Sequence, residues 1–210
     1  PVKQLKLYNS GSFFDPKAIP VADHDAIADR VCAFERVIVE CHPALVNESC
    51  VRFRDLLLEK ASRRRFGSPL LPRVEVAMGL ETVHPLVLPR LHKRMTLDQF
   101  SRAAEFLTRH DIALRVFILL RPPFLDEAES LDWAKRSLDF AFLCGASVAS
   151  LIPTRSGNGA LEFLAAQGDF APPRLATLEA ALAYGIALNK GRVFADLWDL
   201  QLFSSCSECF

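Results

Sequence analysis

Short apolar runs recur along the chain and alternate with longer stretches in which apolar residues are spaced three or four positions apart. The short runs are continuous, which is typical of strands buried on both faces of a parallel sheet. We therefore predict strands at LKLY (5–8), RVIVE (36–40), RVEVAMGLE (73–81), IALRVFILL (112–120), SVASLIP (147–153) and GRVFADLW (191–198).

The stretches between these strands have the apolar spacing of amphipathic helices. Thr96-Leu-Asp-Gln99 has the pattern of a capping box, and it predicts the start of a helix that reaches about His110. Asp126 can cap the start of the next helix, and Gly145 is well placed to end it. Further helices are predicted at 22–34, 46–65 and 173–189.

The central strands start at similar intervals, and each is followed by a helix. This βα rhythm predicts parallel strands with right-handed crossovers, in an open doubly wound sheet or in a barrel. A complete eight-stranded barrel needs about 250 residues, whereas this chain has 210. We therefore predict an α/β fold, a partial (βα) barrel of the TIM type with about five to six βα units. The barrel would span residues 1–190, and a C-terminal strand and tail would span 191–210.

Charge and hydropathy narrow the classes of function. Lys and Arg total 25, as do Asp and Glu, so no overall field favours nucleic acid or an anionic membrane. No apolar run reaches the length that spans a bilayer. No G-x-G-x-x-G or G-x-x-x-x-G-K-[ST] motif follows a strand, so the sequence lacks the usual signatures of nucleotide-binding folds. We expect a cytoplasmic protein that does not act at a membrane.

Polar residues follow the predicted strands at their carboxyl ends, where ligands bind in both sheets and barrels. Glu40 and Glu81 each end a strand, and two such carboxylates suit an ammonium group or ribose hydroxyls. Because strand ends meet solvent, any one of these residues can be polar for that reason alone. Their joint pattern points to a shared ligand site. The other strand-end residues are Ser10, Gly11, Ser12, His42, Arg121, Thr154 and Arg155.

Four segments carry a resemblance to a known family. VEVAMGLETVHPLVLPRLHKRMTLDQFSRAAEFLTRHDIALRVFILLRPP resembles the middle of a radical S-adenosylmethionine (radical SAM) domain. VIVECHP is similar to the preceding strand in the branch that contains the Elongator catalytic subunit, with His42 in place of the usual Arg. LYNSGSFFDP and DLWDLQLFSSCSECF resemble segments of archaeosine-synthase-like proteins of that superfamily.

The resemblance implies two cofactors, S-adenosylmethionine and a [4Fe–4S] cluster. The serine–glycine turn would contact the methionine amino group, and the two carboxylates would approach the ribose or the methionine end. The leucines at the end of the fourth strand would lie near adenine, and residues 152–154 at the end of the fifth would close the opposite side. The implied cofactor-binding residues are Ser10, Gly11, Ser12, Glu40, Glu81, Leu119, Leu120 and Thr154. No catalytic residue is assigned.

The family's C-x-x-x-C-x-x-C loop, which holds the cluster, does not occur in this chain. We expect this loop before Pro1. Without three thiolates the cluster has no protein anchor, so we expect this chain alone to be inactive. The full-length protein would cleave S-adenosylmethionine reductively to a 5′-deoxyadenosyl radical. We expect no metal ligands in the barrel itself, whereas Cys206 and Cys209 have the spacing of half a metal site.

Two other functions remain open from the residues. One is an iron-independent barrel enzyme that uses Glu40 and Glu81 as acid and base. The other is a non-catalytic RNA-binding module in which Arg63–Arg65 contact phosphates. Basic residues at a helix end are also favoured by the helix dipole alone. The resemblance makes tRNA or a modified base the candidate substrate, with a small-molecule cofactor as the other partner.

Overall fold

The strands form one sheet in which each pairs with its neighbour in sequence. The computed structural model describes residues 2–8, 11–64, 71–157 and 159–204, and within these ranges six parallel strands have the order β1-β2-β3-β4-β5-β6. A doubly wound sheet instead reverses its strand order at a switch point. The sequential order is that of a (βα) barrel, so the predicted partial barrel is confirmed. The strands are β1 Gln4–Leu7, β2 Arg36–Glu40, β3 Arg73–Glu81, β4 Ala113–Leu120, β5 Val148–Pro153 and β6 Arg192–Ala195.

Helices follow the strands, as the apolar spacing predicts. Asp126 caps the helix after β4 by accepting a hydrogen bond from the Glu129 amide at 2.8 Å, and Gly145 follows that helix with a φ of 86°. Both predicted ends are confirmed, because a side-chain acceptor and a left-handed residue satisfy the unpaired groups of a helix. In the described ranges the α-helices are α1 His24–Val31, α2 Glu48–Arg64, α3 Val87–Arg90, α4 Leu97–Arg109, α5 Glu127–Leu143, α6 Ala160–Ala166 and α7 Leu175–Ala187. The sequence reasoning missed α6.

The chain divides into two compact units. Unit 1 comprises Pro1–Gly79 with Asp98–Arg115, and unit 2 comprises Leu80–Leu97 with Val116–Phe210. The predicted boundary at residue 190 stays a prediction.

The core of unit 1 lies between its strands and helices α1, α2 and α4. Side chains alternate between the two faces of a strand, and Val37 and Val39 share one face of β2 with no exposed surface. Phe53 and Leu57 of α2 are also fully buried. Burying a side chain of this kind contributes about 1.5–3 kcal/mol, so these residues hold α2 against the sheet.

The core of unit 2 is formed by the second half of β4, by β5 and by helices α5 and α7. Ile118 and Leu151 have no exposed surface. Helix α7 approaches β6 closely at Gly185, where a Cβ atom would lie 2.9 Å from a methyl group of Val193. Glycine is therefore required there for packing.

None of the described helices has both the length and the apolar character that a membrane-crossing helix requires.

Candidate cofactor-binding site

The turn that follows β1 in unit 1 is bonded to the end of β2. The His42 amide donates to Ser12 Oγ at 2.9 Å, and the Phe13 amide donates to the Glu40 carbonyl at 2.7 Å. These bonds place Ser12 beside the end of β2 that carries Glu40. Gly11 is exposed, and a Cβ atom there would meet nothing within 4 Å. Ser10 lies outside the described residues.

Tyr8 lies beside Glu40, and the sequence reasoning missed it. Leu7 pairs with Val39 in the parallel ladder, so the next residues, Tyr8 and Glu40, are neighbours on the same face. Burial raises the pKa of Glu40. Burial, and then the Glu40 charge, raises the pKa of Tyr8. Tyr8 thus stays a hydrogen-bond donor at neutral pH next to the Glu40 acceptor.

An aromatic cluster supports the turn from below. Phe13 and Phe14 are 1% and 3% exposed, and the Phe13 ring lies 4.8 Å from Phe53 and 5.4 Å from His24. His24 is buried, and its Nε2 has no hydrogen-bond partner among the described residues. Burial lowers the His24 pKa, so the ring is neutral in the folded state. The turn is therefore fixed by packing before any ligand binds.

Unit 2 contains a pocket of about 540 Å³ at the carboxyl ends of its strands. Leu119 at the end of β4 and Thr154 after β5 both line it, so two of the implied cofactor-binding residues share one cavity. The wall is mainly apolar, and this volume and composition are ordinary for a small-molecule site. The other lining residues are Arg90, Leu91, His92, Lys93, Pro123, Phe124, Ala160, Leu161, Phe163 and Leu164.

Glu81 is tied to this pocket through Lys93. The Lys93 ammonium lies 3.0 Å from Glu81 Oε1, and the Glu81 side chain is only 10% exposed. A carboxylate has about four acceptor positions on its two oxygens. The ion pair therefore leaves Glu81 able to accept hydrogen bonds from the hydroxyl groups of a ligand. The prediction identified Glu81 but not the cation that fixes it.

The backbone around the ion pair is strained. Glu81, His92, Arg94 and Phe124 have φ values of 64°, 53°, 53° and 70°. The left-handed region costs conformational free energy for residues other than glycine. Residues with this strain cluster at ligand sites. His92 and Arg94 flank Lys93, and Glu81 is the ion-pair partner of Lys93. The strained backbone is therefore associated with the placement of this ion pair.

Leu120 and Thr154 are bonded to each other. The Thr154 hydroxyl donates to the Leu120 carbonyl at 2.8 Å, and the Thr154 amide donates to the same oxygen at 3.1 Å. Leu120 has no exposed surface and its side chain packs in the core, whereas Leu119 lines the pocket. Leu120 therefore supports the pocket through its backbone.

The remaining basic candidates have acidic partners. Arg121 Nη1 lies 2.8 Å from Glu127 Oε2 and donates to the Pro172 carbonyl at 2.6 Å. Arg155 pairs with Asp196. In the basic helix end, Arg63 pairs with Glu59 and Arg64 with Asp29, while Arg65 lies outside the described residues. These pairs reduce the charge that the arginines offer to phosphates.

The cysteines of the described ranges do not fit an iron–sulfur cluster. Metal ligands must be thiolates, but burial raises the pKa of Cys50 to about 11 and raises that of Cys41 further. No group of three His, Cys, Asp or Glu side chains suited to a metal occurs in the described part of the chain. Cys206 and Cys209 lie outside it.

The residues that sequence reasoning missed belong mostly to two segments. His92 and Lys93 lie in the basic LHKRMT stretch, to which the prediction gave no separate role. Phe163 and Leu164 lie in α6, a helix that was not predicted. The available sequence signal for α6 was the apolar segment ALEFLAA directly after two closely spaced glycines.

Comparison with known proteins gives curated relatives that include two proteins of the same name. The chain is 27% identical over 179 residues to the archaeosine synthase subunit beta of Methanosarcina acetivorans, covering 83% of this chain and 49% of that protein. It is 27% identical over 138 residues to the subunit of the same name from Thermococcus kodakarensis, covering 64% and 39%. No family model matches. The chain spans about half the length or less of these curated relatives.

A solved structure has the same fold. The archaeal Methanocaldococcus infernus Elp3 with an N-terminal deletion superposes with a TM-score of 0.65, over 93% of this chain and 48% of that one. Sequence identity is 13%, so this likeness concerns the fold alone. With the curated relatives, it confirms the predicted resemblance to the archaeosine-synthase-like and Elongator-like branch.

Proposed function

We propose that this chain, which is related to the archaeosine-synthase-like and Elongator-like radical SAM proteins, is the part of a radical SAM enzyme that binds S-adenosylmethionine. The observation that carries the proposal is the pocket of unit 2. Leu119 and Thr154 line it, and its Lys93 is paired with Glu81. Leu119, Thr154 and Glu81 are three of the residues that the resemblance assigns to the cofactor.

In this proposal, different residues contact different parts of the cofactor. Glu81 accepts hydrogen bonds from the ribose hydroxyls, while Lys93, which lines the largely apolar pocket, holds the carboxylate in place. Leu119 and the surrounding apolar side chains exclude water from the adenine. For Ser12 and Glu40 of unit 1, the resemblance alone is the reason for proposing a role at the methionine end.

S-adenosylmethionine supplies a 5′-deoxyadenosyl radical when a reduced [4Fe–4S] cluster transfers an electron to it. The cysteines described here do not fit that cluster, so we derive no step through it. We propose that the full-length protein performs this chemistry and that the present chain alone does not. The resemblance is also the reason for proposing tRNA or a modified base as the substrate.

Cofactor binding can be measured without a cluster. We expect isothermal titration calorimetry to detect binding of S-adenosylhomocysteine, which carries the same adenosyl group. Glu81→Gln should weaken the affinity roughly 10- to 100-fold, because a hydrogen bond to a charged group contributes about 1.5–3 kcal/mol. Glu105→Gln is the matched control, since Glu105 is exposed on α4 in unit 1. No binding by the wild-type chain would overturn the proposal.

The enzymatic part is tested on the full-length protein. After anaerobic reconstitution with iron and sulfide, S-adenosylmethionine and a reductant should yield 5′-deoxyadenosine. A preparation with a spectroscopically intact cluster that yields none would contradict it. Turnover without iron would favour the acid–base alternative. Salt-dependent RNA binding lost in Arg63→Ala and Arg64→Ala, without nucleoside binding, would favour the RNA-binding module.

A further inference from the structure

Helix α6 exposes apolar side chains over the pocket of unit 2. Among the α-helices of the described residues, it alone has no buried residue. Leu161, Phe163 and Leu164 all line the pocket, and Phe163 is 64% exposed. Apolar surface of this kind gains about 25 cal/mol for each Å² removed from water, so the helix would be stabilised by a ligand that covers it.

Glycines flank this helix on both sides. Gly159 caps its start with a φ of 78°, and Gly168 follows its end with a φ of 80°. Both positions are in the left-handed region, which glycine enters without steric cost. Backbone rotation at Gly159 can therefore change the orientation of the N-terminal end of this short helix at low steric cost.

The two ends of α6 are held differently. On the C-terminal side, the Asp169 amide donates to the Leu164 carbonyl at 2.9 Å, and the Phe124 amide donates to the Asp169 carbonyl at 2.7 Å. These bonds link the helix to the segment after β4. On the N-terminal side, the Gly157 amide donates to Glu162 Oε1 at 2.6 Å, and this bond is local to the helix and its turn. The C-terminal side is thus the anchored one.

The same pocket contains two of the proposed cofactor-binding residues. Leu119 and Thr154 line it together with α6, and its Lys93 is paired with the Glu81 carboxylate. Adenine presents flat faces that pack on apolar side chains, and its ribose presents hydroxyls. A ligand with both parts matches a pocket that has an apolar wall and a lysine paired with a carboxylate.

We infer that α6 is a clamp that closes on the adenosyl group of S-adenosylmethionine, with Leu161 and Leu164 supplying apolar contacts to it. This inference rests on the proposed function, because it assigns the pocket to that cofactor. The clamp shields the adenosyl group from water once it is bound. It also makes binding dependent on a segment that is poorly buried in the absence of ligand.

Hydrogen–deuterium exchange with and without saturating S-adenosylhomocysteine tests the closure. We expect the amides of residues 160–166 to exchange more slowly with the ligand present. Helix α4 in unit 1 is the internal control, and its exchange should not change.

Leucine truncation tests the contacts. Leu161→Ala and Leu164→Ala should each weaken S-adenosylhomocysteine binding about tenfold, which corresponds to about 1.4 kcal/mol. Leu143→Ala is the matched control, since Leu143 is 83% exposed at the end of α5, and its affinity should equal that of the wild type. Thermal unfolding checks that all three variants are folded.

The outcomes separate the two claims. If the wild-type chain does not bind S-adenosylhomocysteine, the proposed function fails, and the clamp fails with it. If the wild type binds but α6 gains no protection, or if the α6 variants bind as well as Leu143→Ala does, the clamp alone is overturned. Slower exchange together with a loss of affinity confined to the α6 variants supports it.

Discussion

The two units prepare their strand-end residues in different ways. In unit 1 the Ser12 turn is bonded to β2 and rests on a buried aromatic cluster. In unit 2 the pocket has strained residues around one ion pair and an apolar helix with no buried residue. The turn of unit 1 is therefore held by core packing, whereas α6 beside the pocket of unit 2 has no buried residue to hold it. Mutations should accordingly affect stability in the first and affinity in the second.

The largest effect is expected for Phe53→Ala. Phe53 has no exposed surface and contacts Phe13 beneath the turn, so its truncation should lower the free energy of unfolding by about 4 kcal/mol. Chemical denaturation measures this. Phe163→Ala in α6 makes the same chemical change at a 64% exposed site and should cost less than about 1 kcal/mol. Equal losses in the two variants would remove the contrast between the units.

The two glutamates of β3 give a second pair. Glu75 is fully buried and bonded to Arg36 and Arg115, whereas Glu81 pairs with the 48% exposed Lys93. Glu75→Gln should cost about 3 kcal/mol, because it removes the charge that offsets two guanidinium groups. Glu81→Gln should cost less than about 1 kcal/mol, as expected for an ion pair with an exposed partner. Denaturation midpoints compare the two, and the reverse order would contradict this reading.

The pH dependence of stability sharpens the role of the aromatic cluster. Burial lowers the pKa of His24, against the opposing charge of Asp23. An unfolded histidine has a pKa of about 6.5, so below that value the unfolded state binds the proton more readily than the folded state does. The contribution of neutral His24 to the free energy of unfolding should be fully present above about pH 6.5. It should be lost as the pH falls towards 5, by at most ~1.4 kcal/mol per pH unit.

His24→Phe is the comparison for this measurement. Unfolding curves between pH 7.5 and about pH 5 should show a smaller loss for the variant than for the wild type, because carboxylates titrate in both. Identical pH profiles would show that His24 does not contribute.

The smallest effect on stability is expected for Gly11→Ala. A Cβ atom at Gly11 meets nothing within 4 Å, so the free energy of unfolding should change by less than about 0.5 kcal/mol. If the turn contacts the cofactor as proposed, the same methyl group should weaken S-adenosylhomocysteine or S-adenosylmethionine binding. Unchanged affinity would remove Gly11 from the proposed site, and a large loss of stability would show that the turn is tightly packed.

The fold was predictable where the pattern was long and continuous. Strands β2 and β3 have the predicted bounds because their apolar runs end at polar residues, and α5 has the predicted cap at Asp126. Helix α6 was not predictable by periodicity, since it has seven residues and no buried face. The Glu81–Lys93 pair was also beyond the sequence, because it depends on left-handed backbone at several residues that are not glycine.

Position 81 shows a conflict between folding and binding. Its φ of 64° is one that glycine adopts without strain, so replacing Glu81 with glycine should relieve about 1 kcal/mol of backbone strain. The same change would delete the carboxylate that Lys93 holds. Position 81 thus combines a backbone conformation that suits glycine with a side chain that only glutamate or aspartate could supply to Lys93.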